Sequence, residues 1–260
     1  MSSVISRDIE YRQDDTRMLG LLCAPSSPTT GGAGAAAGVL LVHDAFGVSG
    51  EMVAVASRLA ALGHPVLAAD VWGERRLPGS EAEIGPLIGG MVGDRDRWMA
   101  RIRAAHSAAV AQPEFTGRPL VLLGYCFGGS SALEYLRTGA DVAGAISVHG
   151  GLDLLAPDWS QALPSSVLIC AGADDPMATA QMRTELTGSL DAAGTDWQLH
   201  LYSDTTHAFT SPKVEHSPMP DVVAYNPRSA ARAWAATVRF LREIADPEPV
   251  NDDKTRTPHA

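Results

Sequence analysis

The sequence predicts an α/β fold in which helices cover both faces of a mostly parallel central sheet. Short apolar runs alternate with helix-like segments from Val39 onwards, and such runs are typical of strands buried on both faces. One run, residues 120–123, leads directly into the glycine-rich hexapeptide at 124–129, and a helix-like segment follows it. We therefore expect the functional residues at the carboxyl ends of the strands, where parallel sheets gather their sites.

The elements follow from hydrophobic periodicity and from turn residues. Residues 4–12 and 17–24 predict a β-hairpin at the start of the chain. Six further strands are predicted at residues 39–42, 65–69, 120–123, 142–148, 167–171 and 197–202. Helices are predicted at residues 51–62, 95–111, 130–136, 178–193 and 229–244.

Four segments carry no clear periodicity. Residues 73–93, with several glycines and prolines, are expected to form an irregular excursion over the active face, and residues 213–226 a polar loop. Residues 25–37 predict an exposed loop, and residues 246–260 a disordered tail. The length of 260 residues then predicts one α/β domain over residues 1–245.

Composition excludes several classes of function. The formal net charge of −10 and the absence of a basic patch argue against a nucleic-acid partner. The apolar stretches are too short to span a membrane, and the first residues lack the apolar region of a signal peptide. The cysteines, Cys23, Cys126 and Cys170, have no spacing typical of disulfides, which favours a reducing cytoplasm. The histidines and cysteines also lack metal-ligand spacing, so no metal is expected.

The hexapeptide at 124–129 predicts a nucleophile elbow, a sharp strand-to-helix turn, with Cys126 at the nucleophile position. Flanking glycines suit such a turn because a side chain there would collide with the crossing strand or helix. A cysteine beside a helix N-terminus is favoured as the reactive thiolate. The alternative is a glycine-rich turn that holds a buried structural cysteine.

A thiol nucleophile needs a base, and the base needs an acid that orients it. Asp174 or Asp175 follows the predicted strand at 167–171, and His207 follows the next one, which gives the chain order expected with an elbow. His149 also lies at a strand end and is the rival base, although it precedes both aspartates. His43, at another strand end, is a candidate for the pocket lining.

An oxyanion hole should use the backbone N–H groups of Phe127 and of Ala45, which lies in the loop after the strand at 39–42. Asp44 lies in the same loop. Its carboxylate could accept or hold the proton of the thiol, or it could cap the segment that follows.

The hexapeptide, together with the pentapeptide at 43–47, closely resembles the dienelactone hydrolase family of α/β-hydrolases. The resemblance continues at residues 59–63, 68–73, 147–151, 175–176, 207–209, 224–226 and 231–241. It implies an α/β-hydrolase fold and a triad of Cys126, Asp175 and His207, with Asp175 preferred to Asp174 because it directly precedes the proline. It further implies hydrolysis of an ester or lactone through an acyl-enzyme, without metal or organic cofactor.

The sequence departs from the family at two positions. Asp44 stands where the best-known members carry a glutamate that holds the resting thiol. Ser211 stands where the dienelactone-cleaving members carry an arginine for the substrate carboxylate, so dienelactone is not carried over as the substrate. Replacements for this arginine are sought among four residues of the segment expected to cover the site, Arg75, Arg76, Arg95 and Arg97.

These observations predict a cysteine hydrolase of small-molecule esters or lactones, as a monomer or homodimer. Apolar pocket walls are expected from aromatic residues next to the motifs, with His149 beside them: Phe46, Trp72, Phe127 and Phe209. Two alternatives stay open. One is a non-hydrolytic binding or redox-sensing protein with an exposed Cys126, and the other is an acyltransferase.

Overall fold

The computed structural model describes residues 3–27 and 36–246. Most of the predicted loop at 25–37, and the predicted tail beyond residue 246, lie outside this part of the chain. At the loop's described ends, Ser26 and Ser27 are exposed as expected. Ala37 is fully buried because it leads into a central strand, so the loop is not exposed throughout.

Within the described residues, eight strands form one sheet in the order β1-β2-β4-β3-β5-β6-β7-β8. The strands are β1 (Val4–Gln13), β2 (Thr16–Pro25), β3 (Gly38–Val42), β4 (Val66–Ala69), β5 (Leu120–Tyr125), β6 (Gly144–Val148), β7 (Ser166–Gly172) and β8 (Asp196–Tyr202). The hairpin β1–β2 joins β4 in antiparallel pairing, and the other neighbours are parallel. This topology confirms the predicted mostly parallel sheet.

Helices cover both faces of this sheet. They are α1 (Gly50–Ala61), α2 (Glu81–Val92), α3 (Arg95–Val110), α4 (Phe127–Arg137), α5 (Ala180–Ala192) and α6 (Pro227–Ala245). Helices α1 and α6 contribute apolar residues to one buried cluster, and α3, α4 and α5 contribute to the other. Short 3-10 turns lie at Pro113–Phe115, Leu152–Leu154 and Pro212–Val214.

Helix α2 corrects the expectation that residues 73–93 are irregular. Glycines and a proline conceal it in the sequence, since Pro86 lies inside the helix and cannot donate a backbone hydrogen bond. The helix packs beside α3, where the Arg97 side chain donates to the Gly90 carbonyl over 2.6 Å. No residue of this helix lines the cavity that opens onto Cys126, whereas Arg76 and Leu77, which precede it, lie against Gly47 of the loop after β3.

The helix starts agree with local sequence chemistry. Asp94 accepts a hydrogen bond from the N–H of Arg97 and caps α3, and Thr179 caps α5 through the N–H of Met182. Asn226 caps α6 in the same way and is followed by Pro227 at the first helical position. Because α1 and α6 follow the carboxyl ends of β3 and β8, both begin at the same edge of the sheet, which is called the carboxyl edge below.

Candidate active site

Cys126 lies at the sharp turn between β5 and α4. Its backbone adopts φ 52° and ψ −120°, a conformation that non-glycine residues rarely hold. A Cβ at Gly124 would overlap the backbone of Gly128, and a Cβ at Gly128 would overlap the carbonyl of Val42 at the end of β3. The glycines therefore permit the close crossing that leaves Cys126 partly exposed at the carboxyl edge.

His207 links Cys126 to Asp175 in one hydrogen-bonded chain. Its Nε2 lies 3.2 Å from the Cys126 Sγ, and its Nδ1 lies 2.9 Å from the Asp175 Oδ2. The other carboxylate oxygen of Asp175 accepts the backbone N–H of Met177 over 2.8 Å. The neighbouring Asp174 is exposed and bonds through its backbone to Thr205. Of the two aspartates left open by the sequence, Asp175 is thus the one that meets the histidine.

The long loop after β8 holds His207 in place through hydrogen bonds to its backbone. The His207 N–H donates to the carbonyl of Val222 over 3.0 Å, and its own carbonyl accepts the N–H of Ala224 over 3.2 Å. These bonds form a short parallel bridge between His207 and Val223. The predicted polar loop at 213–226 therefore holds the histidine against the sheet edge.

The surroundings of His207 favour its charged form. Burial lowers the pKa of this imidazole, but negative charge on Cys126 and the hydrogen bond to Asp175 outweigh burial and raise the pKa to about 10. The arrangement therefore favours an imidazolium at His207 beside the sulfur of Cys126.

His149, the rival base, bonds the backbone of Cys126. Its Nδ1 accepts the Cys126 N–H over 3.1 Å, and its Nε2 lies 2.7 Å from the hydroxyl of Thr210. Burial and the charge of His207, whose ring is 5.4 Å away, hold the pKa of His149 well below 6.5. A neutral His149 thus fixes the strained turn, a role that sequence order alone does not reveal.

Three hydrogen bonds hold the loop at 43–46 in place. His43 is fully buried, with its Nδ1 2.6 Å from the Asp44 carbonyl and its Nε2 accepting the Val71 N–H over 3.1 Å. The indole N–H of Trp72 donates to the Ala45 carbonyl over 3.2 Å. His43 is therefore an anchor of the loop that carries the Ala45 N–H, and it does not line the cavity.

Asp44 makes the contact expected of one of its two predicted roles. Its Oδ1 accepts the N–H of Phe46 over 2.8 Å, which is the capping role. Among the described residues no hydrogen bond joins Asp44 to Cys126, although both border the same cavity. Burial, and secondarily the charge of Glu51, raise the pKa of Asp44 to about 6.

Three of the four aromatic residues predicted to wall the pocket lie in the core instead. Phe127 is buried between Trp72 and Trp98, with ring centroids 4.8 and 5.2 Å away. Phe209 is fully buried against His149 and Tyr202. Alternation and motif position do not fix which way these side chains point. Phe46 does border the cavity, as does the predicted His149.

The four arginines proposed as replacements are occupied elsewhere. Arg75 bonds the carbonyls of Leu19 and Gly20 and pairs with Asp8. Arg76 pairs with Glu83, Arg95 with Glu134 and Arg97 with Asp94. None of the four borders the cavity that opens onto Cys126.

A cavity of about 540 Å³ opens onto Cys126. At its rim, Glu51 of α1 accepts the hydroxyl of Ser211 over 2.8 Å and pairs with Lys213 over 3.1 Å. Ser211 stands at the position where the dienelactone-cleaving relatives are expected to carry arginine, so a carboxylate occupies this part of the rim. The rim thus suits a neutral substrate better than an anionic one.

The described residues contain neither a metal-binding cluster nor a membrane-spanning helix. Residues 3–27 and 36–246 contain no cluster of three or more histidine, cysteine, aspartate or glutamate side chains that could hold a metal ion. No helix in these ranges is long and apolar enough to cross a membrane.

Several known proteins are similar to this chain over most of its length. Protein usf of Aquifex pyrophilus is 23% identical over 242 residues, which cover 90% of this chain and 97% of that protein. The solved structure of P91, a dienelactone hydrolase-like promiscuous phosphotriesterase from metagenomic libraries, superposes with a TM-score of 0.85. It is 32% identical, over 93% of this chain and 99% of P91. The structure named m3DLH gives the same TM-score and identity, over 93% of this chain and 98% of its own.

The fold is accordingly that of the α/β-hydrolases. Residues 21–245 match the dienelactone hydrolase family, a range that runs from the second half of β2 to the end of α6 and includes every residue of the hydrogen-bonded chain at Cys126. The protein is a member of the dienelactone hydrolase family.

Proposed function

We propose that this protein hydrolyses carboxylic esters or lactones through a thioester formed on Cys126. The observation that carries the proposal is the chain from Cys126 through His207 to Asp175, which meets a cavity at the carboxyl edge. A nucleophile, a base and an orienting acid in hydrogen-bond contact are the arrangement that acyl transfer requires.

In the first half of the reaction, the Cys126 thiolate attacks the carbonyl carbon and forms the C–S bond. The carbonyl electron pair moves to oxygen, where the N–H groups of Phe127 and Ala45 stabilise the oxyanion. The N–H of Phe127 suits this role because the first N–H groups of a helix have no acceptor within the helix. Collapse of this intermediate breaks the C–O bond, and the leaving oxygen takes the proton from Nε2 of His207.

In the second half, the neutral His207 accepts a proton from water, and the resulting hydroxide attacks the thioester carbon. Collapse breaks the C–S bond, which releases the carboxylic acid and restores the thiolate beside the imidazolium. Asp175 holds the imidazole in one orientation through both steps, since its carboxylate contacts Nδ1 and is itself fixed by the N–H of Met177. His149 and Thr210 support the turn at Cys126 without exchanging protons with the substrate.

The test is pre-steady-state kinetics on p-nitrophenyl acetate. We expect a burst equal to the enzyme concentration followed by turnover, with both lost in Cys126→Ala. Cys23→Ala is the matched control because Cys23 is buried in the core beside Ser57, away from the carboxyl edge, and it should retain both phases. Mass spectrometry of the quenched burst should find one acetyl group on the peptide that contains Cys126.

The same traces separate the alternatives. A stoichiometric burst without turnover would support a binding or sensing protein whose thioester is not hydrolysed. Turnover that rises with added alcohol, while acetic acid release falls, would support an acyltransferase. Equal activity in Cys126→Ala would refute the cysteine mechanism.

A second candidate is the hydrolysis of phosphotriesters, favoured by the 32% identity with P91 over 93% of this chain. A phosphotriester is uncharged, which suits a rim where Glu51 rather than an arginine faces the cavity. Diethyl p-nitrophenyl phosphate, measured beside the acetate, tests it. Turnover that depends on Cys126 would place both reactions at one site, and no turnover would remove the candidate.

A further inference from the structure

The cavity at Cys126 continues between two helices on one face of the sheet. Its wall includes five positions of α1 and five of α6. On each helix the first and last of these positions lie seven residues apart, at 51 and 58 and at 227 and 234, and the positions recur at the spacing of one helical face. Because both helices begin at the carboxyl edge, the cavity is a groove that starts near the thiol and runs away from it.

The groove has apolar walls and a defined far end. The walls are formed by Met52, Ala54, Val55, Ala230, Ala231 and Trp234. At the far end the guanidinium of Arg58 lies over the ring of Trp234, with 3.8 Å between Cζ and the ring centroid, so that this pair joins α1 to α6. Among the described residues no carboxylate forms a salt bridge with Arg58, and both members of this pair line the cavity.

We propose that this α1–α6 groove binds an apolar chain of the ester substrate, and that the Arg58–Trp234 pair sets the longest chain that fits. The proposal rests on the proposed ester hydrolysis at Cys126 and specifies its substrate as an ester with a medium-length alkyl chain. The occupant is the substrate itself, because the thiol and the groove border one continuous cavity.

The dimensions set the expected chain length. Seven helical residues rise about 10 Å, a distance that an extended chain of about eight carbon atoms spans. Each methylene transferred from water into an apolar groove gains about 0.8 kcal/mol, which corresponds to a three- to fourfold gain in kcat/KM. We therefore expect kcat/KM to rise severalfold per methylene up to about eight carbons and then to level off or fall.

The experiment measures kcat/KM for two ester series. One is p-nitrophenyl esters with acyl chains from acetate to dodecanoate, and the other is acetates of alcohols with the same chain lengths. A rise in the first series places the acyl chain in the groove, and a rise in the second places the alcohol chain there. Either result supports the proposal, and independence of chain length in both, with acetate turnover intact, overturns it.

Two variants locate the effect. Ala231→Trp, at an exposed groove position, should abolish the chain-length dependence, so that the ratio of kcat/KM for octanoate to kcat/KM for acetate falls to about one. The matched control is Ala192→Trp, which places the same side chain at an exposed position of α5, on the opposite face of the sheet. Trp234→Ala should open the far end and move the optimum to longer chains.

The outcomes separate this proposal from the one on which it rests. A chain-length dependence that survives Ala231→Trp unchanged would overturn the groove as the binding site while ester hydrolysis stands. Absence of any acetate turnover in the wild-type protein would overturn the proposed function, and the groove proposal with it.

Discussion

Two imidazoles beside Cys126 are held in opposite charge states by their partners. His207 faces the thiol and a carboxylate, which raise its pKa to about 10 against the effect of burial. His149 faces a backbone N–H, a hydroxyl and the charged His207, and its pKa is well below the usual range. Because the rings are 5.4 Å apart, a charge on one disfavours a charge on the other. These charge states agree with the proposal that His207 transfers protons and that His149 supports the turn.

Asp44 shows the cost of a buried carboxylate at this site. Burial is the main reason that its pKa rises from 3.8 to about 6. A raised pKa means that the folded state binds the proton more tightly than the unfolded state. The resulting stability is fully present below about pH 4, falls as the pH rises toward 6, and is absent above it. At neutral pH the ionised Asp44 is therefore a source of instability.

We expect Asp44→Asn to stabilise the protein at pH 8 by up to about 3 kcal/mol, the equivalent of a shift of about two pH units. The asparagine carbonyl can still accept the N–H of Phe46. The gain over wild type should shrink to a small fraction of this at pH 4, where Asp44 is protonated in the folded state and is close to its pKa of 3.8 in the unfolded state. Thermal unfolding at the two pH values measures the difference.

Asp44→Ala is the control for this prediction. It also removes the charge but leaves the Phe46 N–H without its acceptor, which costs about 1–3 kcal/mol. It should therefore be less stable than Asp44→Asn at both pH values. A gain in Asp44→Asn that is equal at pH 4 and pH 8 would show that titration of Asp44 is not its source.

At the level of elements, the position of the thiol depends on how closely α4 crosses β3. The backbone at Gly128 lies against the carbonyls of Val42 and His43, with no room for a Cβ. His43 begins the loop that carries the Ala45 N–H, so this crossing also sets the separation of the two proposed oxyanion donors. The elbow and the oxyanion loop therefore form one mechanical unit.

We expect Gly128→Ala to destabilise the protein by about 1–3 kcal/mol or more, since backbone atoms must shift to admit the methyl group. It should also lower kcat on p-nitrophenyl acetate by at least about tenfold, because one oxyanion donor is worth about 2.7–4 kcal/mol. Urea unfolding and steady-state kinetics measure the two effects.

Gly188→Ala is the matched control, since Gly188 lies in α5 with open space around its Cα. This change should stabilise the helix by about 0.5–1 kcal/mol and leave the kinetics unchanged. A Gly128→Ala protein with wild-type kcat would contradict the coupling between the elbow and the oxyanion loop.

The sequence predicts the strands and most of the helices because their signals are local. Apolar runs mark β3, β5 and β7, and glycines with capping residues mark several helix ends. The same signals do not predict helix α2, because tertiary packing overrides the low helix propensity of its glycines and Pro86. Chain order also predicts that Cys126 and His207 meet one of the two aspartates, because parallel strands end at one edge, and the family resemblance selects Asp175.

Side-chain direction is the part of the site that the sequence does not predict. Trp72 and Phe209 follow strands and adjoin site residues, yet both point into the core. There Trp72 stacks on Phe127, and Phe209 packs against Tyr202. The wall of the cavity comes instead from α1 and α6, which are about 170 residues apart in the chain. Their contact is a consequence of strand order, and no local pattern encodes it.

At the scale of the molecule, charge acts on substrates before they bind. The chain carries a formal net charge of −10, and two of its carboxyl groups, those of Asp44 and Glu51, lie at the cavity. Arg58 and Lys213 offset them locally, but Lys213 is already paired with Glu51. An approaching anion therefore meets a repulsive field that extends about 30 Å at 0.01 M salt and about 10 Å at 0.1 M.

We expect kcat/KM for an anionic ester to rise with ionic strength, and kcat/KM for a neutral ester of similar size to stay nearly constant. The mono-p-nitrophenyl ester of succinic acid and p-nitrophenyl butyrate form a suitable pair. Between 0.01 M and 0.5 M salt the anionic ester should gain about threefold or more, because screening removes the repulsion of like charges. Glu51→Gln should raise the low-salt value for the anionic ester, since it also releases Lys213. A fall in kcat/KM for the anionic ester with added salt would instead mean that attraction by Arg58 or Lys213 dominates the approach, against the sign argued from the net charge.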